Sequence, residues 1–433
     1  MSTVDPACSL RIVHVLRAPV GGLFRHVLDL ADEQAARGHH VGVIADSLTG
    51  GARAERALAA LAPKLALGVS RLPIRRAPNP SDLQALLTIS RRLGALDPHV
   101  VHGHGSKGGA LARLVLGSGT RAIGVYTPHG GSLHFAPGTP SHRLYMAMER
   151  LLQRRTDLLL FESRFAAGRY EAFIGAPQCL ARIVHNGLRP EEFAPVATAE
   201  GAAALLYVGE FRLLKGLDTL FHALSRLRAP GRPIKLQLVG AGPDEAELLA
   251  LAHRLGVAGE IAVKPPTPAR EAFALGRILV APSRAESLPY IVLEALAAQK
   301  PVVATKVGGV PEIFGPYVDR LIASDDPEAL AHAILRTLDE HAATSAQSAR
   351  ALCDRVRAEF SLARMTDDVI AAYREALRKR PQVNTRIAPP LPSPRLRGYQ
   401  IHTFWFAVIA LTPCFAAWNW SHPWSMTTGP GFP

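Results

Sequence analysis

A chain of 433 residues, 48% of them apolar and 20% charged, is long enough for two domains of ordinary size and has a globular rather than a disordered composition. Its formal charge of +13, carried mostly by Arg, points to an anionic partner such as a phosphate-bearing ligand or an acidic membrane surface. No Lys/Arg run with interleaved aromatics accompanies that charge, which argues against nucleic acid, and the four scattered Cys show neither a C-x-x-C pair nor a Cys/His spacing that fits a zinc site.

The first part of the chain alternates β-rich runs with amphipathic ones. Residues 10–16 (LRIVHVL) read as a strand, Gly21-Gly22 as a turn, and residues 23–37 as a helix ending at Gly38. Residues 40–46, 99–104, 122–128 and 157–163 read as further strands. Largely apolar strands separated by helices predict a parallel sheet covered on both faces. The N-terminus runs directly into the first strand without the pattern of a signal peptide, so a reduced, cytoplasmic setting is expected.

A polar, Pro-containing and Ala-rich stretch at residues 186–203 reads as an interdomain linker. A second series of strands follows at 205–210, 234–242, 260–264, 277–283 and 301–309. The expected architecture is therefore α/β, with two doubly wound, Rossmann-like domains at 1–190 and 191–380 facing each other. Such an arrangement puts a ligand crevice at the C-terminal ends of the strands. Helical patterns continue through 326–359 and 362–380, the last expected to pack back on the first domain.

Residues 381–398 form a Pro-rich basic linker, and 399–433 an apolar tail. Residues 401–420 come to about the 20 that a bilayer crossing requires. Trp405, Trp418 and Trp420 suit interfacial belts, and Arg395 and Arg397 precede the segment, whereas His402 and Pro413 disfavour a spanning helix. A transmembrane anchor, an interfacial segment and a segment packed on the protein all remain open.

The most specific chemical signal is Glu286 followed eight positions later by Glu294, in ESLPYIVLE. The first lies in a strand-to-helix loop and the second in the helix. Fixed carboxylates accept hydrogen bonds from vicinal hydroxyls, as holding a sugar requires. Downstream, Gly308-Gly309 precede a helix that opens at Val310-Pro311-Glu312, a turn whose backbone N–H groups suit an anion. Upstream, Arg212 and Lys215 follow a strand and precede a helix, where positive charge is unfavourable without an anion, so the pair suits a diphosphate. His129 ends a strand in a Pro-His-Gly turn at the expected mouth of the crevice. His102 and His104 fit either acceptor binding or the shaping of a loop. No spacing of ligands suggests a His-based metal site.

From residue 205 onward, VGEFRLLKG, VGAGP and APSRAESLPYIVLEALAAQKPVVATKVGGVPEI resemble, in order and spacing, the second domain of the retaining GT-B glycosyltransferases of family 4 (glycosyl transferases group 1). The first half fits through Gly21-Gly22, HGHGSKGG, TPHG and VHNGL, so the resemblance runs from residue 10 to about 378. It implies a GT-B fold and a nucleoside-diphosphate-sugar donor held mainly by the second domain. By resemblance, Arg212 and Lys215 hold the diphosphate, Glu286 contacts the transferred sugar, Glu294 the ribose, and His129 lies beside the donor sugar. Gly21 and Gly22 approach the phosphates. Gly240, Gly242, Pro265, Ser287, Leu288, Gly308 and Gly309 complete the donor site, with the base held near Pro265 mostly through backbone. Two departures stand out: Glu210 occupies the place where much of the family has Arg, and Leu188 is followed by Arg189 rather than Asp.

No carboxylate pair divides into nucleophile and acid as in a retaining glycosidase. The resemblance instead implies hexosyl transfer by same-face attack, with a donor phosphate oxygen helping to deprotonate the acceptor. No Asp-x-Asp follows a strand, so neither metal nor cofactor is expected. The acceptor implied is a glycan or a lipid-linked molecule in exopolysaccharide or envelope glycan synthesis, at the inner face of the cell membrane. The alternatives are a nucleotide-sugar epimerase, a soluble polysaccharide synthase, or a non-catalytic scaffold of the same fold.

Overall fold

The computed structural model describes residues 9–77, 79–116, 121–131, 138–227 and 234–380. The linker and apolar tail expected at 381–433 lie outside the described residues. Seven strands form the first sheet: β1 (Arg11–Leu16), β2 (His40–Asp46), β3 (Gly68–Leu72), β4 (Val100–His104), β5 (Ile123–Thr127), β6 (Leu158–Phe161) and β7 (Leu180–Ile183). All pair in parallel, in the order β3-β2-β1-β4-β5-β6-β7. Five more form the second: β8 (Ala203–Val208), β9 (Leu236–Val239), β10 (Ile261–Lys264), β11 (Gly276–Ala281) and β12 (Val302–Ala304), in the order β10-β9-β8-β11-β12.

The central strands are apolar on both faces because helices cover both; β4 and β5 are buried at every position. Strand order reverses between β1 and β4 in the first sheet and between β8 and β11 in the second. Loops leaving the C-terminal ends at such switch points diverge to opposite faces and leave a crevice between them. Gly21 and Gly22 follow β1 at the first of these points, and Lys215 and Glu286 follow β8 and β11 at the second, whereas Gly240, Gly242 and Pro265 follow β9 and β10.

Two strands go unread in the sequence. β3 (GVSRL) and β7 (LARI) are short edge strands, half-buried or exposed over most of their length, and carry little apolar signal. The helical pattern at 326–359 resolves into two helices, Pro327–Asp339 and Ala342–Glu359. Asp326 caps the first by accepting from the N–H groups of Glu328 and Ala329, and His341 caps the second.

After the second sheet the chain returns to the first domain. Leu188 N–H donates to Phe360 O and Leu362 N–H to Leu188 O, each at 2.8 Å. A side chain at Gly187 would collide with the Ser361 carbonyl, so glycine permits this crossing. The helix Leu362–Lys379 then lays Met365, Val369 and Tyr373, spaced by single turns, onto Leu10, Ile12, Val125 and Leu158 of the first sheet. Among the described residues no helix is long and apolar enough to cross a membrane.

Tyr373 is fully buried, and its phenol lies 2.6 Å from His102 Nδ1 on β4. Replacing Tyr373 by Phe strands that nitrogen in a dry core. Chemical denaturation of the Tyr373→Phe protein should show a loss of about 1–3 kcal/mol.

Candidate active site

The donor half is built on the ends of β8 and β11. After β8 the chain makes a short 3-10 turn, Leu213–Lys215, before the helix Leu217–Arg226. Gly216, at φ 69°, closes the turn so tightly that a Cβ there would strike the Pro282 carbonyl. Lys215 is thereby delivered to the loop after β11. Its Nζ lies 2.6 Å from Glu286 Oε1, which also accepts from Ser283 Oγ at 2.8 Å. Glu286 is held between an ammonium and a hydroxyl, and 13% of its side chain is exposed.

Gly308 and Gly309 buttress this carboxylate. Gly308 has φ 57° and abuts the Glu286 carbonyl, and Gly309 N–H donates to Ser287 O at 2.9 Å. The Gly309 N–H expected to face an anion is thus engaged in shaping the Glu286 loop, and the following helix, Val310–Phe314, is only five residues long. Gly240 and Gly242 act similarly, packing against the Gly209 carbonyl and the Phe211 backbone. Arg212 does not converge with Lys215: its guanidinium points outward, 3.9 Å from Glu210. Pro265 is exposed beyond β10, and its carbonyl accepts from Thr267 Oγ1.

The first domain closes over this half through its own polar groups. The helix Gly21–Ala36 begins at the Gly21-Gly22 turn, where Gly22 comes against the Tyr290 ring. One turn on, Arg25 donates to Glu294 and, through Nη2, to both oxygens of Glu192 at 2.6 and 2.7 Å. Its guanidinium also lies over the Tyr290 ring at 4.4 Å. Burial raises the Glu294 pKa, and Arg25 partly offsets that. Glu294, expected at the ribose, is here an interdomain ion-pair partner.

Ser287 and Leu288 are likewise bridged. Ser287 Oγ donates to Glu162 Oε1 at 2.6 Å, and the Leu288 carbonyl accepts from Asn186 Nδ2 at 2.8 Å. Glu312 reaches the other way: it accepts from the backbone N–H groups of Arg164 and Phe165 at 3.0 and 3.1 Å and meets His185 Nε2 at 3.1 Å. Burial opposes its ionisation, yet His185 and the two amides hold its pKa below the usual glutamate value.

His129 belongs to a group of five imidazoles. His14 comes from β1, His26 from the helix after Gly21-Gly22, His102 and His104 from β4, and His129 from the turn after β5. His129 adopts φ 51°, unusual for a side-chain-bearing residue. His104 bonds on both sides, Nε2 to His14 Nδ1 and Nδ1 to His129 Nε2, each at 3.0 Å. His102 is occupied by Tyr373 and by Thr127, so it does not face an acceptor. His104 is buried too, which settles both as internal residues. Burial lowers every one of these pKa values, to about 4 for His14 and His26.

Sequence reasoning missed Arg25, His14, His26, Glu162 and Tyr290 because their roles depend on which strands and domains are neighbours. Asn186 and Glu312 lay inside quoted motifs, but nothing local revealed what they bind.

Residues 20–192 match the family model described as Glycosyltransferase Family 4, and residues 202–340 match Glycosyl transferases group 1. The chain is 30% identical over 313 residues to D-inositol 3-phosphate glycosyltransferase 1 of Catenulispora acidiphila, spanning 65% of this chain and 73% of that protein. It belongs to the family 4 glycosyltransferases. The fold is GT-B: the structure of Anabaena HepE in complex with UDP-glucose superposes with a TM-score of 0.68 at 18% identity, covering 83% of this chain and 98% of that one. WaaG, a glycosyltransferase involved in lipopolysaccharide biosynthesis, superposes with a TM-score of 0.61 at 20% identity, covering 83% and 99%. The glycosyltransferase acts on a nucleotide sugar.

The Glu312 latch gives a pH test. A carboxylate with a lowered folded pKa contributes its full stability above the unfolded pKa and loses it as pH falls through the folded value. Glu312→Gln should therefore cost about 1–3 kcal/mol at neutral pH. The gap from the parent, followed by urea midpoints, should close as the pH falls below the usual glutamate range.

Proposed function

We propose that this enzyme transfers a hexosyl group, with retention of anomeric configuration, from a nucleoside-diphosphate sugar to a hydroxyl of a glycan or lipid-linked acceptor. The observation that carries this reading is the Lys215–Glu286–Ser283 cluster at the β8/β11 switch point, opposite the Gly21-Gly22 turn. In this reading the donor diphosphate replaces Glu286 as the partner of Lys215, and Glu286 is freed to accept hydrogen bonds from sugar hydroxyls. Arg212, exposed on a short loop, swings in to share the phosphate charge. Glu294 exchanges Arg25 for the ribose hydroxyls, and His129 flanks the sugar. The nucleoside diphosphate that leaves gains negative charge, so Lys215 and Arg212 stabilise the transition state more than the ground state.

A donor phosphate oxygen takes the acceptor proton on the face from which the diphosphate departs. The cationic residues make a divalent ion unnecessary for neutralising the leaving group. The complex of HepE with UDP-glucose supports a uridine- or other nucleoside-diphosphate donor. The +13 charge and the apolar stretch at 401–420 support work at the inner face of the cell membrane, in exopolysaccharide or envelope glycan assembly.

Lys215→Ala should lower kcat by about 100- to 1000-fold, the effect of removing one strong charge-stabilising donor. Glu286→Ala should abolish transfer while leaving donor-induced thermal stabilisation measurable, and a screen of UDP-, GDP- and ADP-sugars by thermal shift identifies the donor. EDTA should leave the rate unchanged, and NMR of the product should show the donor's anomeric configuration; chelator-sensitive transfer restored by Mn²⁺, or an inverted product, refutes the mechanism. On cell fractionation the full chain should sediment with membranes in low salt; a protein that remains in the supernatant at both low and high salt contradicts the location.

A further inference from the structure

The histidine group is more than packing. Each of its rings has two nitrogens, and the partners of those nitrogens fix where the lone pairs lie. Asn186 is oriented by donating Nδ2–H to the Leu288 carbonyl at 2.8 Å, so its Oδ1 accepts from His26 Nδ1–H at 3.0 Å. The Tyr290 hydroxyl lies farther from the same nitrogen, at 3.4 Å. His26 therefore carries its lone pair on Nε2. Gln34 Oε1 accepts from His14 Nε2–H at 2.9 Å, so His14 Nδ1 accepts from His104 Nε2–H. His104 consequently carries its lone pair on Nδ1, the nitrogen 3.0 Å from His129 Nε2.

Metal-binding histidines show this arrangement: one nitrogen is tied to an oriented acceptor, which frees the other as a ligand. One ring nitrogen from each of His26, His104 and His129 falls within a set whose members all lie within 4.8 Å of one another. A tetrahedral ion with nitrogens at 2.0–2.1 Å requires them to be roughly 3.3 Å apart, so the rings close in by up to about 1.5 Å on binding. A second grouping, His14, His102 and His104, is closed to an ion: His102 is engaged by Tyr373 and Thr127, and all three rings are buried. In the first group His129 is only half-buried.

We propose that His26, His104 and His129 form a three-histidine site for a borderline divalent transition ion of the Zn²⁺ class, with Asn186 and His14 as the residues that orient two of its ligands. On binding, the His129 proton moves from Nε2 to Nδ1, its Nε2 lone pair joins His104 Nδ1 and His26 Nε2 on the ion, and no net proton is released. The site shares His129 with the donor-sugar reading above, and the transfer itself requires no ion.

The test is metal binding by the full chain, prepared without a histidine tag and stripped with chelator. Zn²⁺ titrated against a chromophoric competitor should bind one ion per chain, and Co²⁺ should give the intense visible bands of four-coordinate geometry. His26→Ala and His104→Ala should abolish this site, and Asn186→Ala should weaken it by about 10- to 100-fold. Thermal melts identify which variants are folded, and the Co²⁺ spectrum of the parent needs no variant at all. A parent chain that binds no stoichiometric Zn²⁺, lacks the Co²⁺ bands, or passes its binding unchanged to a folded His104→Ala protein overturns the proposal.

Discussion

One guanidinium holds the two halves of this enzyme in register. Arg25 is largely buried, and a buried cation is tolerated only when paired. Its partners are Glu294 and Glu192 from beyond the first sheet and Asp29 from its own helix, with the Tyr290 ring beneath it. Asp29 is shared with Arg189, which also pairs with Asp32, so the clamp extends to the segment that joins the domains. None of these carboxylates could lose its cation without leaving negative charge in a poorly hydrated seam. The closed arrangement of the cleft is therefore an electrostatic state, and any ligand that takes Glu294 must compete with Arg25 for it.

The same seam explains why the donor-site residues appear in pairs. Ser287 with Glu162, Leu288 with Asn186, and Glu312 with the Arg164 and Phe165 amides each join one domain to the other. These contacts are polar and few. They can break one by one as the cleft opens, whereas the apolar cores of the two sheets cannot separate in that way. Among the described residues, the return helix Leu362–Lys379 fastens the end of the chain to the first domain through an apolar face.

Much of the fold was legible because its signal is local. Strand 40–46 is buried at every position but its first and announces itself as an apolar run, and the Glu286/Glu294 spacing is a property of one loop and one helix. Edge strands β3 and β7 escaped because half-exposed residues carry mixed polarity. The histidine group escaped for a different reason. His14 and His102 are 88 positions apart, yet β1 and β4 are hydrogen-bonded neighbours with these two residues in register. A spacing test within one segment cannot see partners that only the strand order brings together. Gly308-Gly309 makes the turn that its sequence announces, but which backbone it presses against depends on the loop after β11.

The route of the last helix determines where the chain leaves the molecule. It starts at Ser361 beside Leu188, near the cleft, and ends at Arg380, whose guanidinium meets the Ala122 carbonyl and lies 3.9 Å from Asp157, at the N-terminal ends of β5 and β6. Eighteen residues of helix carry the chain about 27 Å away from the reaction site. The next 18 residues, 381–398, can span at most roughly 60 Å when extended. A tail fastened to a surface would thus hold the first domain by its back on a leash about twice the length of that helix.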